Sequence, residues 1–129
     1  AGCIRAHRFR SGSPPARIEE KILFDADKLD VTGCTGIARS LLYIGQVGTP
    51  LYSLDAAGAV SDGSRDEQPS FFQEYHYKLK GLYSLFYTER GRELARERQS
   101  AADSFYRSLL QEVSSAYQSG PQDLLRFLQ

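Results

Sequence analysis

Apolar residues recur at helical spacing along most of this chain. Between residues 16 and 29 they lie three or four positions apart, at Ile18, Ile22, Ala26 and Leu29. Such a stripe is typical of an amphipathic helix. No segment shows the sustained alternation of apolar and polar residues that indicates a strand, so we expect an all-α fold.

A second helix is predicted from about Gly36 to near Gly45, with Thr32 or Thr35 as its cap. Residues 45–70 then combine Gly, Pro, Ser and acidic residues without a sustained period. This composition predicts a long loop or lid between the helices.

Two longer helices are predicted after this loop. The first covers residues 71–87, which carry aromatic and leucine side chains at helical spacing. Thr88 interrupts the pattern and is a candidate cap for the second helix, whose buried stripe includes Leu94 and Phe105. Gly120-Pro121 is expected to end this last long helix.

The composition fits a soluble globular protein with one modest core. The chain has 129 residues, of which 41% are hydrophobic and 25% charged. Sixteen basic residues balance sixteen acidic ones, which argues against dedicated nucleic-acid binding. No apolar stretch approaches the roughly 20 residues that cross a bilayer, so we expect no membrane partner. Two Cys without secretory features favour a cytoplasmic location.

The segment DADKLD places three carboxylates within six residues, directly after an apolar run. Carboxylates near a core need a compensating cation or hydrogen-bond donors, and a divalent metal ion is the obvious candidate. On a helix, Asp27 and Asp30 share a face, whereas Asp25 points elsewhere. We therefore expect Asp25 to cap or to form a salt bridge on the outer face.

Residues 25–39, DADKLD followed by GCTGIAR, resemble the closing motif of HD-domain metal-dependent phosphohydrolases. The resemblance extends upstream to IRAH at residues 4–7, and downstream to Lys78-Leu79 and to TERGRELARER at residues 88–98. It implies a helical HD-domain-like fold. The His-Asp pair of that family is missing, because neither of the two His is followed by Asp. Residues 1–129 therefore resemble the C-terminal part of a single HD-type domain.

The resemblance also implies a metal site. The last metal ligand of the family is the Asp of an Ala-Asp pair, which corresponds to Asp27. Asp30 would orient a ligand or a basic residue, and His7 would lie near the metal cavity, although a purely structural role fits each equally well. The ion would be Mn²⁺, Mg²⁺ or another transition metal. The other ligands would come from a missing N-terminal half, so metal binding by this chain alone would be absent or weak.

Basic residues stand where the resembled motifs also carry a base, at Arg39, Lys78, Arg92 and Arg98. Cations of this kind neutralise the oxygens of a phosphate group during its transfer. Glu residues are interleaved around Arg92 and Arg98, so ordinary ion pairs along a helix explain these two as well. Arg39 and Lys78 are the better phosphate candidates, and no residue is assigned a catalytic role.

The expected function of the intact protein is hydrolysis of a phosphate ester or nucleotide by a metal-activated water. The alternative is a non-catalytic helical remnant or binding module with an incomplete metal site, so enzyme activity of the chain as given stays open. Its expected partners are a phosphorylated small molecule or nucleotide, and either the missing N-terminal half or a second copy held through apolar helix faces.

Overall fold

The computed structural model describes residues 13–129, of which 68% are helical. Their elements are α1 (Ile18–Leu29), α2 (Gly33–Val47), α3 (Phe71–Tyr77), a 3-10 helix (Leu79–Ser84) and α4 (Glu89–Leu128). Pairing of strand type within this part of the chain is limited to one isolated bridge, between Leu54 and Val60. The expected all-α fold is confirmed. Among the described helices, none is both long and apolar enough to cross a membrane.

The core lies where α2, α3 and the 3-10 helix pack against the middle of α4. Tyr106 of α4 stacks on Tyr75, with ring centroids 4.0 Å apart, and meets the edge of Phe72 at 5.5 Å. Aromatic pairs of both geometries stabilise a core beyond the area they bury. The buried residues of this cluster are Ile37, Ile44, Phe71, Phe72, Tyr75, Leu79, Leu82, Ala102 and Tyr106.

Two helix boundaries differ from those predicted. Helix α2 continues through Gly45 to Val47 and is capped by Gly48, whose positive φ of 76° is the left-handed conformation typical of a helix C-terminus. The Thr49 N–H then donates to the Ile44 carbonyl and closes the last turn. The helix predicted over residues 71–87 breaks at Lys78, where φ is −131°, into α3 and the 3-10 helix.

Helix α4 begins as predicted but does not end at Gly120-Pro121. The Thr88 side chain accepts a hydrogen bond from the Gly91 N–H, so Thr88 is the cap that the sequence suggested. The expected end is wrong, because the helix continues through Pro121 to Leu128. A proline inside a helix removes one backbone hydrogen bond and introduces strain, but it need not stop the helix.

The buried face of α4 includes Ala102, as the helical spacing predicts, but it does not include Phe105. Its buried residues are Gly91, Ala95, Ala102 and Tyr106. By contrast, Phe105 is 39% exposed. Small side chains at the first two positions allow α1 to approach the backbone of α4 closely, which a stripe of large apolar residues would prevent.

The loop after α2 is tied to the helices by hydrogen bonds. The Asp66 carboxylate accepts from the hydroxyls of Ser53 and Ser61, each at 2.6 Å. The Tyr106 hydroxyl donates to the Asp62 carbonyl at 2.6 Å and contacts His76 Nε2 at 2.8 Å. One core tyrosine thus connects the loop, α3 and α4, and His76 has a structural role at this joint.

The buried tyrosines are held in their neutral form. Burial raises the pKa of Tyr106 to about 12, with a smaller contribution from the negative charges of Asp62 and Asp66. Burial also raises the pKa of Tyr75, and its hydrogen bond to Asp103 acts in the same direction. Folding therefore opposes the ionisation of both hydroxyls.

We predict a loss of stability at high pH. A pKa that is raised in the folded state stabilises the protein fully below the unfolded value of roughly 10, and this contribution disappears as the pH rises towards the folded value. The free energy of urea unfolding should stay constant up to about pH 10 and then fall as the pH approaches 12. Tyr106→Phe should flatten this fall, whereas Tyr77→Phe, which alters an exposed ring, should not. An unchanged profile in Tyr106→Phe would contradict the account.

Candidate functional site

Asp25 joins α1 to the beginning of α4. Its carboxylate is 3% exposed and accepts hydrogen bonds from the backbone N–H groups of Tyr87 and Thr88, at 2.9 and 2.8 Å. The Thr88 hydroxyl donates to the same carboxylate at 2.6 Å. Tyr87 and Thr88 directly precede Glu89, the first residue of α4, so the carboxylate lies at the N-terminus of this helix, where negative charge is favourable. The prediction that Asp25 lies on an outer face is therefore wrong, because Tyr87 and Thr88 supply three donors for it inside the protein.

Gly91 makes this joint possible. A Cβ atom at Gly91 would clash with the Asp25 carboxylate and would lie 2.9 Å from the Thr88 hydroxyl oxygen. Only a residue without a side chain lets α4 begin this close to α1. The Thr-x-x-Gly sequence at residues 88–91 therefore works together with Asp25, 63 positions earlier in the chain.

Asp27, the candidate metal ligand, lies on an open face of α1. Its side chain is 46% exposed, and Lys28 Nζ lies 3.2 Å from its Oδ2. The Lys28 side chain is only 15% exposed, and its ammonium group lies 5.1 Å from the centroid of the Phe24 ring. A cation between a carboxylate and an aromatic face is favourable. Within residues 13–129, Lys28 therefore supplies a positive charge directly beside Asp27.

The other candidate residues divide between two regions. Asp30, in the turn after α1, forms an exposed ion pair of 3.6 Å with Arg39 in the middle of α2. Lys78 instead follows α3 and pairs with Glu74 at 3.5 Å. Asp27, Asp30 and Arg39 are thus close in the chain and on neighbouring elements, whereas Lys78 belongs to another part of the fold.

Arg92 and Arg98 bind backbone carbonyls. Arg98 donates to the Leu29 carbonyl at 2.7 Å and so satisfies an acceptor at the end of α1. Arg92 donates to the Tyr87 carbonyl at 2.9 Å, just before α4. The sequence predicted that Arg92 and Arg98 form ion pairs with the neighbouring Glu residues. The structure shows hydrogen bonds to backbone carbonyls at both positions instead, and these contacts explain both arginines without a bound ligand.

The described residues do not complete a metal site. Within residues 13–129, no group of three or more His, Cys, Asp or Glu side chains could hold a metal ion. His7 lies outside the described residues. Tight binding of a divalent ion requires several ligands in a fixed geometry, so Asp27 is not sufficient by itself.

Sequence reasoning missed two buried carboxylates of α1. Glu20 accepts from the N–H groups of Ala16 and Arg17, at 2.9 and 3.2 Å, and these bonds lower the pKa of its carboxyl. A Glu three residues after the N-cap Arg17 is a recognisable capping signal. Asp25 has no comparable local signal, because its donors come from a distant segment.

We predict effects of very different size on stability for two aspartates of α1. Asp25→Ala leaves the N–H groups of Tyr87 and Thr88 buried without an acceptor, and it should lower the free energy of unfolding by about 3 kcal/mol or more. Asp27→Ala removes one partly exposed ion pair and should change it by less than about 1 kcal/mol. Urea unfolding followed by circular dichroism measures both. Equal losses in the two variants would show that Asp25 does not hold the joint.

Comparison with known proteins shows which folds this chain resembles. No family model matches the chain. YpgQ of Bacillus subtilis is 34% identical over 106 residues, which cover 82% of this chain and 45% of YpgQ. Its crystal structure superposes with a TM-score of 0.68 at 32% identity, over 86% of this chain and 51% of that one.

Three further solved structures support the same fold. A protein of Lactobacillus plantarum gives a TM-score of 0.68 at 27% identity, over 88% of this chain and 59% of its own. An HD-superfamily hydrolase of Bacillus thuringiensis gives a TM-score of 0.59 at 31% identity, over 79% of this chain and 48% of its own. YpgQ has also been solved in complex with ADP. That structure gives a TM-score of 0.61 at 33% identity, over 76% of this chain and 45% of its own. The chain thus spans about half the length of the proteins it matches, and its fold is all-α and HD-like.

Proposed function

We propose that this chain is part of a metal-dependent phosphohydrolase that acts on a nucleotide or another phosphate ester. The observation that carries the proposal is the likeness, at 31% identity, to an HD-superfamily hydrolase over 79% of the chain. The likeness to YpgQ, which has been solved with ADP, favours a nucleotide among the possible substrates.

Asp27 is the residue that we assign to the metal. Its carboxylate is half exposed, whereas the neighbouring Asp25 is buried and already takes three donors from the start of α4. A carboxylate suits Mg²⁺ or Mn²⁺, and histidine ligands from elsewhere would widen the choice to other transition metals. Such an ion activates water for attack on phosphorus. The remaining ligands would come from the half of the domain that the comparisons leave unmatched.

Arg39 and Lys78 are our candidates for the phosphate groups. Their side chains are 58% and 64% exposed, and the ion pairs that they form are open to solvent. Exposed pairs contribute little to stability, so either cation can exchange its partner for a phosphate oxygen. Arg39 also holds Asp30, which gives Asp30 a role in orienting this cation. Arg92 and Arg98 are weaker candidates because both bind backbone carbonyls.

A second candidate function is that of a non-catalytic helical module. It is favoured by the lack of any group of metal-binding side chains within residues 13–129. The two functions differ in what the unmatched half would add. In the first it completes a metal site, and in the second it adds only packing.

We predict that the 129-residue chain alone binds Mn²⁺ weakly. One carboxylate with a lysine partner lacks the ligand number for tight binding, so calorimetry should show no stoichiometric binding at micromolar concentration. Hydrolysis of ADP or of p-nitrophenyl phosphate by the same sample should equal the rate without protein. Tight, one-to-one Mn²⁺ binding would mean that the ligand set is assigned wrongly.

We further predict that activity returns when the unmatched half is supplied. In a chimera, this chain replaces the matched segment of YpgQ, and Mn²⁺-dependent hydrolysis of nucleotides is measured. Asp27→Ala should reduce Mn²⁺ affinity and kcat by roughly 100-fold or more, because it removes a direct metal ligand. Glu112→Ala, which removes an exposed acid of α4, is the matched control and should have no effect. A chimera that is folded, as judged by circular dichroism, and inactive would favour the non-catalytic module.

A further inference from the structure

Tyr43 differs from most tyrosines of this chain in taking no part in the core. The chain has eight tyrosines. Within residues 13–129, six of them make a ring contact or a side-chain hydrogen bond: Tyr52, Tyr75, Tyr83, Tyr87, Tyr106 and Tyr117. In the same part of the chain, Tyr43 and Tyr77 make neither kind of contact, and they are 61% and 64% exposed. An exposed ring is not unusual by itself, so its surroundings decide whether it can bind a ligand.

Tyr43 lies beside a cation on the outer face of α2. It follows Arg39 by four positions, and residues at this spacing lie on the same face of a helix, one turn apart. Leu42 and Val47 border this face and are 70% and 55% exposed. Helix α2 therefore presents a guanidinium group and an aromatic ring together to solvent, within an apolar border.

Tyr77, which is equally exposed, lacks this arrangement. It directly precedes Lys78, and adjacent residues of a helix do not face each other. Lys78 also leaves the helical conformation, with φ at −131°, and its ammonium group pairs with Glu74. Tyr77 is thus an exposed ring without a cation on its own face, and it serves as a reference for Tyr43.

A ligand that fits this face is anionic at one end and aromatic at the other. The ion pair of Arg39 with Asp30 is open to solvent, so the guanidinium can exchange the carboxylate for the oxygens of a phosphate group. A tyrosine ring stacks on any nucleobase, because every base has a π-face. A nucleotide carries both groups, separated by one ribose, and so matches a cation and a ring that lie one helical turn apart.

Building on the proposed function, in which Arg39 binds phosphate, we propose that Tyr43 is the stacking surface for the base of a bound nucleotide. Asp30 precedes α2, so the Arg39 guanidinium that pairs with it reaches toward the beginning of this helix. The phosphate groups then lie toward the turn that follows α1, and the base lies one turn further along α2. Tyr43 is the residue that distinguishes a nucleotide from a phosphate ester without a base.

Tryptophan fluorescence tests this proposal. The chain contains no Trp, so Tyr43→Trp introduces a unique fluorophore and keeps an aromatic face. In the 129-residue chain without metal, ADP should quench the fluorescence of this variant saturably. Tyr77→Trp is the matched control and should show no saturable change. Adding Arg39→Ala to Tyr43→Trp should weaken ADP binding by roughly tenfold, because the cation for the phosphate groups is lost. Equal responses to ADP in Tyr43→Trp and Tyr77→Trp would overturn the proposal.

Competition separates the base from the phosphate. Ribose 5-phosphate has the sugar and the phosphate of AMP but no base. In Tyr43→Trp, the dissociation constant of AMP should be at least about fivefold lower than the inhibition constant of ribose 5-phosphate against ADP, because only AMP can stack. Equal constants for the two compounds would overturn the proposal, since the phosphate alone would then explain binding.

The chimera with the unmatched half of YpgQ shows whether nucleotide or protein covers Tyr43. Any Trp of the YpgQ half is replaced by Phe, and ADP should again quench the fluorescence of Tyr43→Trp. A chimera that does not respond to ADP would overturn the proposal, and shielding of its tryptophan from acrylamide would identify protein as the occupant. None of these measurements requires Mn²⁺ or turnover. A chimera that binds ADP through Tyr43 but does not hydrolyse it would therefore contradict the proposed function and leave this inference standing.

Discussion

The arrangement of this fold depends on one buried carboxylate. Asp25 accepts hydrogen bonds from the N–H groups of the two residues that directly precede α4, more than 60 positions later in the chain. Its negative charge lies at the positive end of that helix and is fully hydrogen-bonded, which is the condition under which a buried carboxylate stabilises a protein. Because Gly91 lets the two backbones approach, the joint also fixes how α1 presents its other faces.

The sequence was sufficient for features that depend on local periodicity. The helical class and the Thr88 cap follow from residue spacing, and the structure confirms both. The HD-like fold, which rested on the resemblance of short motifs, agrees with structural neighbours at 27–33% identity.

Features that depend on contacts between distant segments could not be predicted in the same way. Asp25 and Asp27 look alike in the sequence, yet one is buried and the other half exposed, and only the position of α4 distinguishes them. Arg98 was a phosphate candidate from its motif, but it binds the carbonyl that ends α1. The predicted end of α4 at Gly120-Pro121 is wrong, because a long helix can continue past one proline.

The described residues account for the faces of α1 to different degrees. On one face, Asp27 offers a single carboxylate, whereas a metal site needs several ligands. On another face, Ile18 and Ile22 are more than half exposed, although they belong to a regular apolar stripe. Under the proposed function, the further metal ligands would come from outside residues 13–129.

The most direct test of the central claim is a crystal structure of the chimera of this chain with the unmatched half of YpgQ, grown with Mn²⁺. Anomalous diffraction at the manganese edge locates the ion without assumptions about its ligands. The account predicts an ion bonded to the Asp27 carboxylate, with its other ligands supplied by the YpgQ half. An ion bound elsewhere while Asp27 still pairs with Lys28 would contradict it.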